Sequence, residues 1–238
     1  MDGGAGSPSL AAGSGETALD VEQSGAVAPG YRIAVYQAPN TDYGFADAFF
    51  AAASQDSADA VSTSWGESET AIAATVASGK ESATYIQAYD EAFLELAAQG
   101  QTALTAAGDA GAYEASRDLG TTSLSVDNPG DSPFITTAGG TTLGGKLTAS
   151  LQGGNGLTVS VPRRRAWGWD YLWPLWKAFG APSESAFAQA NIAGGGGGYS
   201  LAEPMPAYQR QPLLLGDARA HVQRRLRARR AGPGQAVG

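Results

Sequence analysis

Ser82-Ala83-Thr84-Tyr85-Ile86-Gln87-Ala88-Tyr89-Asp90-Glu91-Ala92-Phe93-Leu94-Glu95-Leu96-Ala97-Ala98-Gln99-Gly100-Gln101-Thr102-Ala103-Leu104-Thr105-Ala106-Ala107-Gly108-Asp109 is the stretch that decides the fold. Tyr85, Ile86, Tyr89, Phe93, Leu94 and Leu96 recur near helical spacing, so Ser82 to Gln99 reads as the longest helix. Gly100 stands where a left-handed cap would end it. Gln101 to Ala106 then reads as a strand that runs straight into Gly108-Asp109.

The segments on the N-terminal side repeat this alternation. Arg32-Ile33-Ala34-Val35-Tyr36 reads as a buried strand, Asp42 to Ser54 as an amphipathic helix, and Ala58 to Ser64 as a strand closed by Trp65-Gly66. Alternation of strands and helices predicts an α/β fold, a parallel sheet flanked by crossover helices. In such sheets the functional crevice lies off the carboxyl ends of the strands. Ser64-Trp65-Gly66 and Gly108-Asp109 both fall there, although Gly108-Asp109 could equally be a plain strand-to-helix turn.

Beyond residue 120 the pattern loosens into short strands and turns. A Trp-rich stretch, Trp167 to Trp176, reads as a packed surface lobe, and Arg163-Arg164-Arg165 as a solvated loop. Five consecutive glycines, Gly194 to Gly198, demand either a flexible loop or a close approach of backbones. No internal repeat is visible. From Arg210 the character changes: this tail carries seven of the 15 Lys and Arg residues and reads as disordered. Residues 1–209 therefore form the expected domain and 210–238 the tail.

Composition narrows the function. The chain has 238 residues, 33 of them Gly, with 16% charged residues and a net charge of −8, which suits a compact acidic protein and not a nucleic-acid binder. No cysteine is present, and the single histidine, His221, lies in the tail. That argues against a Ser-His-Asp triad in the body and excludes thiolate or multi-imidazole metal sites. No apolar run is long enough to span a bilayer, and no secretory signal is visible at the N-terminus.

One pair of residues suggests chemistry. Glu16 and Asp20, in Gly15-Glu16-Thr17-Ala18-Leu19-Asp20-Val21-Glu22, lie four residues apart on a predicted helix that ends near Pro29-Gly30. That spacing puts both carboxylates on one helix face, about 6 Å apart along the axis. They could act as a coupled acid/base pair or simply form a solvated face.

Glu16 to Pro29 resembles the catalytic helix of the sedolisin (serine-carboxyl) peptidases, acid-acting relatives of subtilisin. Other blocks follow in family order. Val61-Ser62-Thr63-Ser64-Trp65-Gly66 is similar to the family's substrate-edge strand, and Ala106-Ala107-Gly108-Asp109-Ala110-Gly111-Ala112 to its oxyanion-aspartate loop. Asp127 to Leu143, and Gly194 to Ser200 with Pro206-Ala207-Tyr208-Gln209, resemble later family blocks. The resemblance implies a subtilisin-like fold and endopeptidase chemistry through an acyl-enzyme. Glu16 would be the general base to a serine hydroxyl, Asp20 its orienter, and Asp109 would serve the oxyanion hole. Ser64, Trp65, Gly66 and Gly108 would bind an extended peptide or protein substrate. It also implies an extracellular protein; a monomer that acts on neither nucleic acid nor membranes is expected.

The family's Gly-Thr-Ser nucleophile motif is missing from these 238 residues; Gly140-Thr141 continues into Thr142. The family's Asp-rich calcium loop has no counterpart either, so no cofactor is expected in this chain. These departures predict a subtilisin-like sheet incomplete at its C-terminus, from a truncated or frameshifted chain, and no catalytic activity. The alternative expectation is a non-catalytic peptide-binding protein or an unstable fragment.

Overall fold

The computed structural model describes Ser7, Ser9, residues 13–150 and residues 156–209. The tail from Arg210 onward lies outside them.

Apart from two differences, the elements run in the predicted order. Helix α1 (Ser14–Val27) is followed by α2 (Asp42–Gln55), strand β1 (Ala60–Thr63), the two-residue β2 (Glu67–Ser68) and α3 (Glu69–Ala77). Then come α4 (Tyr85–Ala98), β3 (Thr102–Ala106), α5 (Ala115–Asp118), β4 (Asp127–Asn128) and β5 (Thr136–Ala138). β1, β3 and β5 form a parallel sheet in that order, with Val61 opposite Ala103 and Thr105 opposite Thr137. Each parallel step is closed by a long connection, α3 and α4 for the first, as a crossover requires. The fold is the expected α/β architecture.

Local chemistry explains the boundaries. The Thr41 hydroxyl accepts a hydrogen bond from the Gly44 amide at 3.2 Å and caps α2. Gly100, at φ +84°, closes α4, and Gln101 N–H reaches back to the Leu96 carbonyl at 2.9 Å. That is the 6→1 bond of a left-handed helix end. The face of α4 predicted from its spacing is buried except for Leu94, which is exposed: Phe93 and Leu96 are inaccessible, and Tyr89 and Phe93 meet Phe49 of α2 edge-on at 5.9 and 5.0 Å. This α2–α4 seam, with Ala103 and Ile135 from the sheet, is the core.

One predicted strand is absent. Arg32–Tyr36 forms no ladder among the described residues, and Ile33 and Val35 are exposed. Its apolar alternation satisfies the strand pattern, but no described residue offers it ladder partners, and an unpaired segment is not a strand. A second difference is α3. Ser68, fully buried, caps it by accepting from Ala71 N–H at 3.3 Å.

The remaining elements build a smaller lobe. β6 (Thr141–Thr142) pairs with β9 (Arg165–Ala166), and β7 (Gly145–Ser150) with β8 (Gly156–Val161) as an antiparallel hairpin. Helices α6 (Trp173–Ala178) and α7 (Glu184–Ala190) follow, and Trp173 and Trp176 pack on Phe187 at 6.0 and 5.7 Å. The tryptophan stretch is thus a packed lobe, as predicted. Arg165 departs from the predicted solvated loop: it lies in β9 and pairs with Asp170.

Candidate active site

Helix α1 carries both candidate carboxylates, Glu16 in its first turn and Asp20 one turn later, both half-buried. The structure brings this face to the end of β1. Ser64 Oγ donates to Asp20 Oδ1 at 2.8 Å, across 44 residues of chain. Trp65 completes the junction from the other side. A Cβ on Gly13, which adopts φ +69° before α1, would lie 2.2 Å from the Trp65 ring, and Phe45 meets that ring at 5.7 Å. Only glycine fits both that dihedral angle and that approach.

Gly66 is equally constrained. A Cβ there would stand 2.6 Å from Asp127 Oδ2 and 2.8 Å from the Asn128 carbonyl, so β4 backs directly onto the Ser64–Gly66 edge. Behind Trp65 and Gly66 lies a small cavity of about 50 Å³ lined by Phe45, Glu67, Tyr85, Tyr89 and Pro129. Tyr85 and Tyr89 share a hydroxyl–hydroxyl bond of 2.6 Å, and burial pushes both phenols well above their ordinary range.

The second predicted segment, Gly108–Gly111, follows β3. Gly108 has φ +93°, and a Cβ on it would lie 2.5 Å from the Glu114 carboxyl carbon. Asp109 is exposed, and its carboxylate accepts a bond from the Arg117 guanidinium. On the far side the glycine run closes in. Gly194 N–H donates to the Asp109 carbonyl at 2.8 Å, Gly111 N–H to the Gly194 carbonyl at 3.0 Å, and Gly196 N–H to the Gly108 carbonyl at 3.1 Å. Of the two predicted roles for five glycines, close backbone approach is the one realised.

Around these loops lies a group of carboxyls that the sequence analysis did not single out. Glu67 is pushed up to about 7 by burial first and by Asp42, Asp118 and Glu81 next. Asp127 is also pushed up to about 7, by burial and by Glu114 and Asp118. Asp131 moves the same way through burial and the adjoining Glu69 carboxyl, while Asn128 Nδ2 donates to its Oδ1 at 2.9 Å. Its Oδ2 has no hydrogen-bond partner among the described residues. Glu69 in turn accepts from Ser200 Oγ and from Leu201 N–H at 2.8 Å. In sequence these acids look like ordinary surface residues; only Asp127 and Asp131 fell inside a block with a recognisable pattern.

Among the described residues no group of three or more His, Cys, Asp or Glu side chains is placed to hold a metal ion, and no step is assigned to one. No described helix is long and apolar enough to cross a membrane.

Known proteins are similar to this chain. The chain is 42% identical to kumamolisin of Bacillus sp. strain MN-32 over 131 residues, which cover 54% of this chain and 22% of kumamolisin. It is 29% identical over 222 residues to xanthomonalisin of Xanthomonas sp. strain T-22, covering 82% of this chain and 24% of that protein. The structure of Pseudomonas sedolisin, a serine-carboxyl proteinase solved with two molecules of pseudo-iodotyrostatin, superposes with a TM-score of 0.53 at 26% identity, over 88% of this chain and 50% of that one. These likenesses support membership of the sedolisin family. No protein-family model matches it. It spans about a quarter of the length of these curated relatives or less. The α1–Ser64 contact and the Gly108–Gly111 loop are the two parts of the candidate site.

Proposed function

We propose that these 238 residues carry the acid/base and oxyanion parts of an acid-acting serine endopeptidase, without its nucleophile. The observation that carries this reading is the 2.8 Å bond from Ser64 Oγ to Asp20, which ties the α1 carboxylate pair to the strand edge where a peptide would lie. In the proposed mechanism Glu16 takes the proton of a serine hydroxyl as it attacks the scissile carbonyl. Asp20 holds Glu16 in position and supports its charge, the part an aspartate plays for histidine in the Ser-His-Asp triad. Asp109, protonated at acid pH, donates a hydrogen bond to the oxyanion that forms. For that its carboxyl must leave Arg117; exposed ion pairs of this kind contribute only about 0–1 kcal/mol, so the cost is small. An extended substrate would pair with Ser64–Gly66 as an added strand.

Gly-Thr-Ser occurs nowhere in the chain; its two Gly-Thr pairs, Gly120-Thr121 and Gly140-Thr141, both continue into threonine. The chain as it stands therefore should not hydrolyse casein between pH 3 and 5. Any hydrolysis that disappears in Glu16→Gln would contradict this and would mean that a nucleophile is present. A non-catalytic peptide binder is the second reading, favoured by the same missing motif. The genomic sequence after the Gln209 codon separates the two: Gly-Thr-Ser in a shifted frame supports a peptidase locus, and its absence from every frame supports the binder. By family, the protein is proposed to act outside the cell, with any calcium held by residues other than those described.

A further inference from the structure

The Gly108–Gly111 loop is held from beneath by a carboxylate to which no role has so far been given. Glu114 is 2% exposed, and its Oε1 accepts the Ala110 N–H at 2.7 Å. The carboxyl group fills the space where a Gly108 side chain would be, and Oε1 is 3.1 Å from the position of a Cβ on Gly196. The loop is thus clamped between a buried carboxylate and the Gly194–Gly196 backbone, whose three hydrogen bonds engage Gly108, Asp109 and Gly111. We propose that Glu114 is a positioning residue for Asp109: by binding the amide that follows Asp109, it fixes the backbone from which the oxyanion-stabilising side chain projects.

A buried carboxylate is costly unless amides or cations satisfy it. Burial raises the Glu114 carboxyl above its ordinary range, opposed by the amides of Ala110 and Asp109 and the charge of Arg117, and the nearby charge of Asp109 raises it further. Asp127 also faces it. The loop's one strand-type pairing, the bridge between Ala110 and Gly194, does not use the Ala110 N–H, so loss of the Glu114 contact should be felt locally.

The inference rests on the reading of Asp109 as the oxyanion donor. Its test needs no hydrolysis: amide hydrogen exchange by NMR on the full chain. Glu114→Ala is expected to accelerate exchange at Asp109 and Ala110 at least tenfold, while Ala103 and Thr105 in β3 stay within twofold. Glu114→Gln, whose amide oxygen can still accept, should restore most of the protection at Ala110. Unchanged exchange at Ala110, or uniform acceleration through β3 and α4, would overturn the positioning role. If Glu114→Ala does not fold, the unmodified protein decides. The Ala110 amide proton shift should move with the titration of the Glu114 carboxyl carbon, followed separately from those of Asp109 and Asp127, and an Ala110 shift insensitive to Glu114 would sink the proposal. Failure here removes the positioning role and leaves the peptidase reading standing; inactivity of a Glu16-bearing site in a competent peptidase would do the reverse.

Discussion

At the residue scale, glycine does more to shape this site than any charged group. Gly13, Gly66, Gly108 and Gly196 each stand where a Cβ would strike a ring, a carboxyl or a carbonyl. Gly196 is the tightest: a Cβ would be 1.6 Å from the Ala107 carbonyl oxygen, backbone against backbone, with no flexible side chain to yield. Gly196→Ala should therefore destabilise the fold by about 1–3 kcal/mol or more, as overpacking does. Gly145, with open space around it, gives the control: Gly145→Ala should stay within about 0.5 kcal/mol. Thermal melts of both variants check this, and equal melting temperatures would refute the close-approach account. The run of five glycines was legible as a demand for either freedom or proximity. Which of the two applies depends on Ala107, some 90 residues away in sequence, and no local pattern could have told.

At the element scale, the β2–β4 ladder gathers acids that elsewhere would face water. Glu67 and Asp127 sit in or beside it, Glu69 opens α3, and Asp131 follows β4. Unfolded, such groups titrate near 3.8 to 4.5; folded, Glu67 and Asp127 titrate near 7, and Asp131 is raised as well. Between those values the folded chain binds more protons than the unfolded chain, so stability falls with rising pH. The contribution is complete below about pH 4 and is lost as pH passes 7. The melting temperature should drop by roughly 5–10 °C from pH 4 to pH 8, given how far one kcal/mol shifts a domain of this size. A melting temperature that rises over that range would contradict the account. None of this was readable from sequence, because Glu67-Ser68-Glu69-Thr70 looks like a polar surface turn. Only packing shows that Ser68 caps a helix and that Glu69 is 4% exposed. By contrast α2, α4, β1 and β3 were legible because their apolar spacing is what burial against the sheet requires. Arg32–Tyr36 has the pattern without the partner, and the pattern alone does not make a strand.

At the scale of the whole molecule, the sheet brings two distant segments to one edge. Crossover topology places the ends of β1 and β3 side by side, and Thr63 and Thr105 are register partners. α1 then docks Asp20 on Ser64, so a carboxylate pair, a strand edge and an oxyanion-type loop come from three separate parts of the chain. The order of these blocks was visible in the sequence, as was the family; the Glu114 clamp and the Arg117 contact were not, since both depend on how the chain returns after Gly108. The central claim is that Glu16 and Asp20 of α1 are competent to serve a serine nucleophile. Its most direct measurement places α1 (Ser14–Val27) in kumamolisin in exchange for the homologous helix and follows peptide hydrolysis at pH 4. The account predicts that the chimera keeps activity within about tenfold and that Glu16→Gln then lowers kcat by about 10²–10⁴. A folded chimera that is inactive, or one in which Glu16→Gln leaves kcat unchanged, would contradict it.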